Sequence, residues 1–426
     1  MKRRSWLQGG LALGLGNLAC PVWAQSNPIT FVGWSQDEAA NKASIAAAFG
    51  SFRTAHPEVP LELVGFPYAQ MQQNLLLRLR SGQPLDAVQM QERWLPQFAR
   101  TRRMIDLDTV FGAGSLEKHV DRGLLALGRY DGHQYGLPWT AGSIGMVANT
   151  RAAQDAGVKA LPATIDEFLD ALRRIKKAAP QSVPYGMVTK NNITLSPEFQ
   201  TWLWTFGGRV FDAKGIVTVD SAAGVRALTF MVDLLAEGLA ARDVDRPDAR
   251  RLFAQHQCMY YFDAPLARSF ARDNSGKGLE FDKNIAAMAV PVLRSGDKPQ
   301  SVAWGHLLSS FQRAPGAAAQ TGLRPFVEHL VLDDEVQLRY YRDTGLFPVS
   351  RGALSRLASD PYVSTWSNLA LSATRDETSL WPASGELTAI IGEETQSALL
   401  KQKTPVQALQ SMSQRLTTRM AEAPKT

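Results

Sequence analysis

Cysteine is nearly absent: the 426 residues contain two, Cys20 and Cys258. Once a leader carrying Cys20 is removed, no internal disulfide can form, so packing alone must stabilise the chain even in an oxidising compartment. No apolar run after residue 24 approaches 18 residues, which excludes a membrane-spanning helix there. Charge of one sign is not concentrated either. The 46 basic and 40 acidic residues are scattered along the chain, unlike the clustered stripe of a nucleic-acid binder. A His-Glu-x-x-His zinc motif and a Walker A loop are both missing, and neither a metal nor a cofactor is expected. Repeats, low-complexity tracts and a Gly/Ser linker are missing as well, so passages between domains must be made by ordered strands.

What is present begins with an export signal over residues 1–24. Lys2, Arg3 and Arg4 form its positive end, Gly9 to Ala19 a short apolar core, and Val22-Trp23-Ala24 a peptidase site, with cleavage expected before Gln25. Arg3-Arg4-Ser5-Trp6-Leu7 resembles a twin-arginine signal; an ordinary secretory signal that starts with two arginines fits the same residues. Leu18-Ala19-Cys20 hints at lipid attachment, but Asn17 and Pro21 are poor neighbours for acylation. The expected location is the periplasm, without an anchor. The roughly 400 residues that remain exceed one compact core and suit two lobes.

Along that remainder, short apolar runs alternate with segments of helical period. Ile29 to Trp34, Leu61 to Phe66 and Asp86 to Met90 read as strands. Between and after them, helices are predicted over Ala39 to His56, through Met71 to Leu79, and over Trp94 to Met104. This alternation argues for crossover units and a mainly parallel sheet, which binds ligands in the loops after its strands. Further strands are predicted at Tyr135 to Pro138, Ile144 to Asn149, Met259 to Phe262, Ile285 to Val290 and Val302 to Phe311. Thr164 with Glu167 forms a capping box that announces a helix to Ala178. Helices are also expected over Phe199 to Phe206, Ser221 to Glu237, Ala317 to Leu332 and Glu386 to Met420.

Five phrases in order carry a family resemblance. They are Phe52 through His56-Pro57-Glu58-Val59; Ser81-Gly82-Gln83-Pro84-Leu85-Asp86; Asp131-Gly132-His133-Gln134-Tyr135-Gly136-Leu137-Pro138; Gly207-Gly208 with Asp212 and Gly215; and Gly345-Leu346-Phe347-Pro348-Val349. Together they resemble the maltose-binding-protein-like extracellular solute-binding proteins that feed sugar importers of the ATP-binding-cassette (ABC) class. The resemblance implies the type II two-lobed periplasmic binding protein fold, α/β, in which each lobe is a mainly parallel sheet flanked by helices. Three crossings would fall near Trp139, Gln300 and Thr344. The N-lobe would then be 25–139 plus 302–343 and the C-lobe 140–301 plus 344–426. Two departures stand out: Phe206 where the family often has asparagine, and Asp263 and Leu266 where many relatives show Gly-Pro-Trp.

A sugar site needs a ring to stack on the C–H face and planar polar groups to bond neighbouring hydroxyls. Of the eight tryptophans after the signal, Trp34, Trp139, Trp304 and Trp381 would face the groove under that architecture, and one of Trp202 and Trp204 could, with Trp204 the candidate. A tryptophan is as readily a core residue. Gln36 and Asp37 follow the first strand, Tyr68 the second, and Glu92 and Arg93 the third. Asp263, His306 and Phe347 complete the candidates; their plain alternatives are a turn cap, a bonded strand residue and a packing residue. Arg93 could equally pair on a solvated surface.

The function implied is capture of a mono- or oligosaccharide by a monomer and its delivery to a membrane permease. A sensor for a membrane receptor would use the same fold. A glycerol-phosphate or polyol binder is the alternative, and a phosphorylated ligand would need cations such as Arg93, Arg268 and Arg342 to converge. A secreted glycosidase would need two carboxylates across a sugar, for which Glu92 and Asp263 are the pair; no catalytic residues are otherwise expected. Ala141-Gly142-Ser143-Ile144-Gly145 lacks the first glycine of a nucleophile elbow.

Overall fold

The computed structural model describes residues 28–38, 41–381 and 383–422. The export signal and Cys20 lie outside the described residues. The chain opens with strand β1 (Ile29–Gly33), helix α1 (Lys42–Ala55), strand β2 (Leu61–Gly65), helix α2 (Tyr68–Arg80) and strand β3 (Ala87–Gln91). A single 3-10 turn, Glu92–Trp94, and a short helix, Leu95–Ala99, replace the longer helix expected there. Pro96 and the polar stretch from Arg100 to Arg103 leave no further apolar face to bury.

The longest strand is β4 (Gly136–Asn149), a single strand where two were expected. Helices α3 (Ile165–Ala178), α4 (Leu195–Thr205), α5 (Ala222–Ala236) and α6 (Arg246–Ala254) follow. Then come strands β5 (Tyr260–Asp263), β6 (Ile285–Met288) and β7 (Val302–Ser309). Helices α7 (Asp334–Thr344), α8 (Ser384–Leu399) and α9 (Pro405–Glu422) complete the frame. The Thr164–Glu167 capping box forms as expected, each side chain bonding the other's backbone N–H. It satisfies donors that a helix start otherwise leaves unpaired. The helix expected from Ala317 starts only at Leu323 and ends in a π-helical turn, Glu328–Leu332.

Seven strands form one sheet in the order β2-β1-β3-β7-β4-β5, with β6 also pairing β4. Only β1–β2 and β1–β3 are parallel; the pairs β3–β7, β4–β7, β4–β5 and β4–β6 are antiparallel. The mainly parallel expectation therefore holds for the first three strands alone. Of the others, β4 and β7 are long, at 14 and 8 residues, and pair antiparallel along both cores, while β5 and β6 are four-residue strands that pair antiparallel to β4.

Apolar side chains form two large cores and a smaller third. The first gathers Phe31, Phe49, Phe52, Phe98 and Phe326; the second gathers Phe168, Trp202, Leu228, Met231 and Leu387. The third packs Phe253, Tyr261, Phe281 and Trp366. Strand β4 threads both large cores, with Leu137, Trp139 and Ala141 in the first and Met146 and Ala148 in the second. The change of core thus falls between Ala141 and Met146, beyond Trp139. At Gly142 an added Cβ would come 2.9 Å from the ring of Pro265, so a side chain where the strand passes between cores would have to displace that ring. Leu346 and Val349 return to the first core, while Phe347 joins the third.

Candidate functional site

Where the cores face each other they leave a cavity of about 510 Å³. One wall comes from the ends of the first sheet strands. Trp34 follows β1, Gln91 ends β3, Arg93 lies in the turn beyond it, Tyr68 opens α2, and Trp304 and His306 lie on β7. This is the strand-end position at which open α/β sheets hold ligands. The opposite wall carries Arg246 and Arg250 of α6, Asp263 at the end of β5, Phe270, and Thr194 and Pro197 at the start of α4.

The first wall is a cluster of rings set by one buried amide. Gln89 accepts the backbone N–H groups of Trp34 at 3.2 Å and Ser35 at 3.1 Å, and donates to the Ser35 hydroxyl at 2.7 Å. Its Nε2 also lies 3.3 Å from His306 Nδ1. Ring centroids of Trp34 lie 4.9 Å from His306 and 5.4 Å from Tyr68, and Trp304 lies 4.9 Å from His306. Burial, helped by the Arg93 charge, pushes the His306 pKa down to about 3, so the imidazole is neutral and can accept from Gln89. Arg93 donates to the Tyr68 hydroxyl at 2.5 Å. Glu92 turns its carboxylate to the Gly305 N–H at 3.3 Å, and burial raises its pKa to about 7 against the pull of Arg93.

Charge pairing sets the second wall. Arg250 grips both oxygens of Asp263 at 2.7 Å, and its guanidinium lies 3.7 Å from the Phe270 ring centroid. Burial alone would raise the Asp263 pKa, but Arg250, with Arg246 behind it, outweighs burial and holds it below the usual carboxylate value. Asp263 is therefore an anchored anion.

Of the sequence candidates, Trp34, Tyr68, Arg93, Asp263, Trp304 and His306 line this one cavity. Seven do not. Trp139 is a core residue, stacked 5.2 Å from Tyr340 and edge-on to Phe31, because the strand carries it inward before the crossing. Trp204 is buried with its Nε1 donating to Glu377 at 2.5 Å and Arg209 over its ring. Phe347 packs between Tyr341 and Tyr362 in the third core. Trp381 packs on Phe211 and borders a separate groove with Arg209 and Arg375. Gln36 bonds the Val64 carbonyl at 2.7 Å, and the exposed Asp37 lies over Gly65, where a Cβ would come 1.7 Å from its carboxylate. Glu92 is held by the Gly305 N–H and is not among the lining residues.

Of the three cations considered for a phosphate, Arg93 reaches the cavity, Arg268 pairs with Asp360 at 2.6 Å over the Tyr362 ring, and the exposed Arg342 is not among the lining residues. Sequence reasoning missed Glu38, Asn41, Arg246, Arg250 and Phe270. The signal was available for two of them. Asp245 and Asp248 form a capping box, which fixes the helix start and puts Arg246 and Arg250 one turn apart on one face.

Sequence and structure comparisons agree with this architecture. A probable amino-acid ABC transporter periplasmic-binding protein of Sinorhizobium fredii is 31% identical over 260 residues, 55% of this chain and 58% of that protein. An arabinooligosaccharide-binding protein of Halalkalibacterium halodurans is 26% identical over 193 residues, 43% of this chain and 41% of that protein. The chain spans less than two thirds of the length of the curated relatives it matches. Among solved structures, the GacH receptor of Streptomyces glaucescens, determined unliganded and with acarbose, superposes with a TM-score of 0.76 at 20% identity. That match covers 93% of this chain and 99% of GacH. The family model for bacterial extracellular solute-binding proteins matches residues 34–320. The chain belongs to that family, with the maltose-binding-protein-like type II fold.

Proposed function

We propose that this chain is the solute-binding component of an ABC importer and that it captures a carbohydrate in the cavity between the two cores. The observation that carries this reading is the wall of Tyr68 and Trp304, half-buried rings packed with the buried Trp34 and His306, facing anchored planar groups across about 510 Å³. Ring faces suit the C–H surface of a sugar, and guanidinium and carboxylate groups suit adjacent hydroxyls. The arabinooligosaccharide-binding relative supports the solute class. In this reading the chain is exported to the periplasm and works as a monomer. Contacts from both walls stabilise a closed arrangement over an open one, and the closed shape docks on the permease.

A glycosidase is disfavoured by the site itself. Of the two carboxylates it would need, Glu92 is turned to the Gly305 N–H and does not line the cavity, and Asp263 is held as an ion by Arg250, so it is no proton donor. Chromogenic glycosides are expected to show no turnover.

The test is a thermal-shift screen of the purified protein against sugars, polyols, phosphodiesters and amino acids. A ligand at 100 times its Kd adds about 2.7 kcal/mol of stability, and the true solute is also expected to contract the molecule in small-angle scattering. A shift with amino acids or phosphodiesters alone, or a bound sugar without contraction, would overturn the proposal.

A further inference from the structure

The chain has 18 phenylalanines, and every one but Phe270 lies in or against one of the three apolar cores. Phe270 is half-buried and lines the cavity instead. Its ring has one recorded neighbour of charge or aromatic character among the described residues, the Arg250 guanidinium at 3.7 Å from the centroid. The helix that carries it explains the placement. Over Ala267–Ser275 the buried residues are Ala267 and Ala271, which join the third core. Leu266, Ser269, Phe270 and Asp273 line the cavity, and their i, i+3, i+4, i+7 spacing sets them along one face. Leu266 also packs against the first core. Phe270 is therefore the apolar side chain of that face with no core behind it.

An apolar ring held at a cavity wall, outside every core, gains its burial from what enters the cavity. The other groups of this wall are already committed. Arg246 is 7% exposed and lies 3.9 Å from the Asp263 and Glu198 carboxylates. Asp263 gives both oxygens to Arg250. Arg250 is thus fixed along one edge by a carboxylate and lies over the Phe270 ring, which a cation–π contact steadies. The ring is held in place without being covered by a core.

We propose that Phe270 is the stacking ring of the second wall and a determinant of which sugars fit. It packs on C–H surface of the bound sugar while Tyr68 and Trp304 do so from the first wall, so the solute must offer apolar surface to both walls. This rests on the carbohydrate reading above and deepens it by assigning the second wall a contact that does not depend on charge.

The test is calorimetric titration of the full chain with glucose, galactose, mannose, xylose, arabinose and their di- and trisaccharides. For the sugar that binds, Phe270→Ala is expected to weaken affinity about tenfold, with little change in the Tm of the solute-free protein. Phe270→Leu keeps apolar bulk beneath Arg250 but has no flat face, and is expected to lose affinity as Phe270→Ala does. Phe270→Tyr is expected to retain it. Should Phe270→Ala fail to fold, the Leu and Tyr variants decide the matter between them. Full affinity in Phe270→Ala would overturn this inference and leave the carbohydrate reading standing. Affinity retained in Phe270→Leu would overturn it too, showing that the side chain acts by supporting Arg250. Binding of no saccharide by the parent would overturn both readings.

Discussion

On the wall built from β1, β3 and β7 the recognition surface is made of rings, with Trp34, Tyr68, Trp304 and a neutral His306 held by the Gln89 amide. On the wall built from α6 and β5 it is made of charge, with Arg246 and Asp263 buried and Arg250 bonded to Asp263 over the Phe270 ring. The backbones explain the contrast. Parallel strands end together, so their following residues converge on one loop cluster and can stack. A helix instead projects residues four apart along one face, which lets two long arginines reach a single carboxylate. The first wall can therefore grip a sugar face with little desolvated charge. The second must pair its charges internally or through the solute.

Four experiments would break or sharpen this contrast. The largest effect is expected from Asp263→Asn, which leaves Arg250 and Arg246 buried without their anion. Breaking one partner of a buried pair costs about 3–5 kcal/mol, and denaturant unfolding should register a loss of that size. Trp139→Ala comes next, at about 3 kcal/mol or more for emptying a stacked core site. Its solute affinity should hold once folded, because the ring faces Tyr340 and not the cavity. An affinity change with unchanged stability would return Trp139 to the site.

Trp304→Ala reverses that pattern. Its ring is only partly buried, so stability should change little while affinity falls about tenfold, roughly 1–1.5 kcal/mol of lost stacking. The smallest effect concerns Glu198. Its pKa is raised from 4.5 to about 7, so the folded chain holds this proton more tightly than the unfolded chain. The stabilisation is full below about 4.5 and is lost as pH rises through about 7. Glu198→Gln is therefore expected to gain on the parent, by a few degrees in Tm, between pH 5 and 8. A constant difference across that range would contradict the assignment.

How much was legible in the sequence differs between the same two walls. Trp34, Tyr68 and Arg93 were readable because each ends or follows an apolar run recognisable as a strand, and strand ends have a known fate in this architecture; Trp304 and His306 were readable from their place near an expected crossing, early in the strand Val302–Ser309. Arg246 and Arg250 were not singled out, since two arginines on a short polar helix look like a solvated face until β5 is seen to pack beside them. The tryptophans divide on the same point. Trp139 and Trp381 occupy loop or crossing positions in the sequence, yet one strand carries the first into the core and Phe211 draws the second to a separate groove. Strand sense was also hidden. Apolar runs show that Val302–Ser309 is a strand, not that it returns antiparallel to Ala87–Gln91.

By itself the sequence determined most of the first strands and helices, the Thr164–Glu167 capping box, the order of five family phrases and the aromatic residues at the first strand ends, because these depend on neighbours within a few positions. Tertiary structure alone decided which rings face the cavity, which carboxylate each arginine meets and which buried donors remain unpaired. Those outcomes depend on separate elements arriving at the same few ångströms, from 13 residues apart for Arg250 and Asp263 to 217 for Gln89 and His306, and no local pattern encodes that meeting.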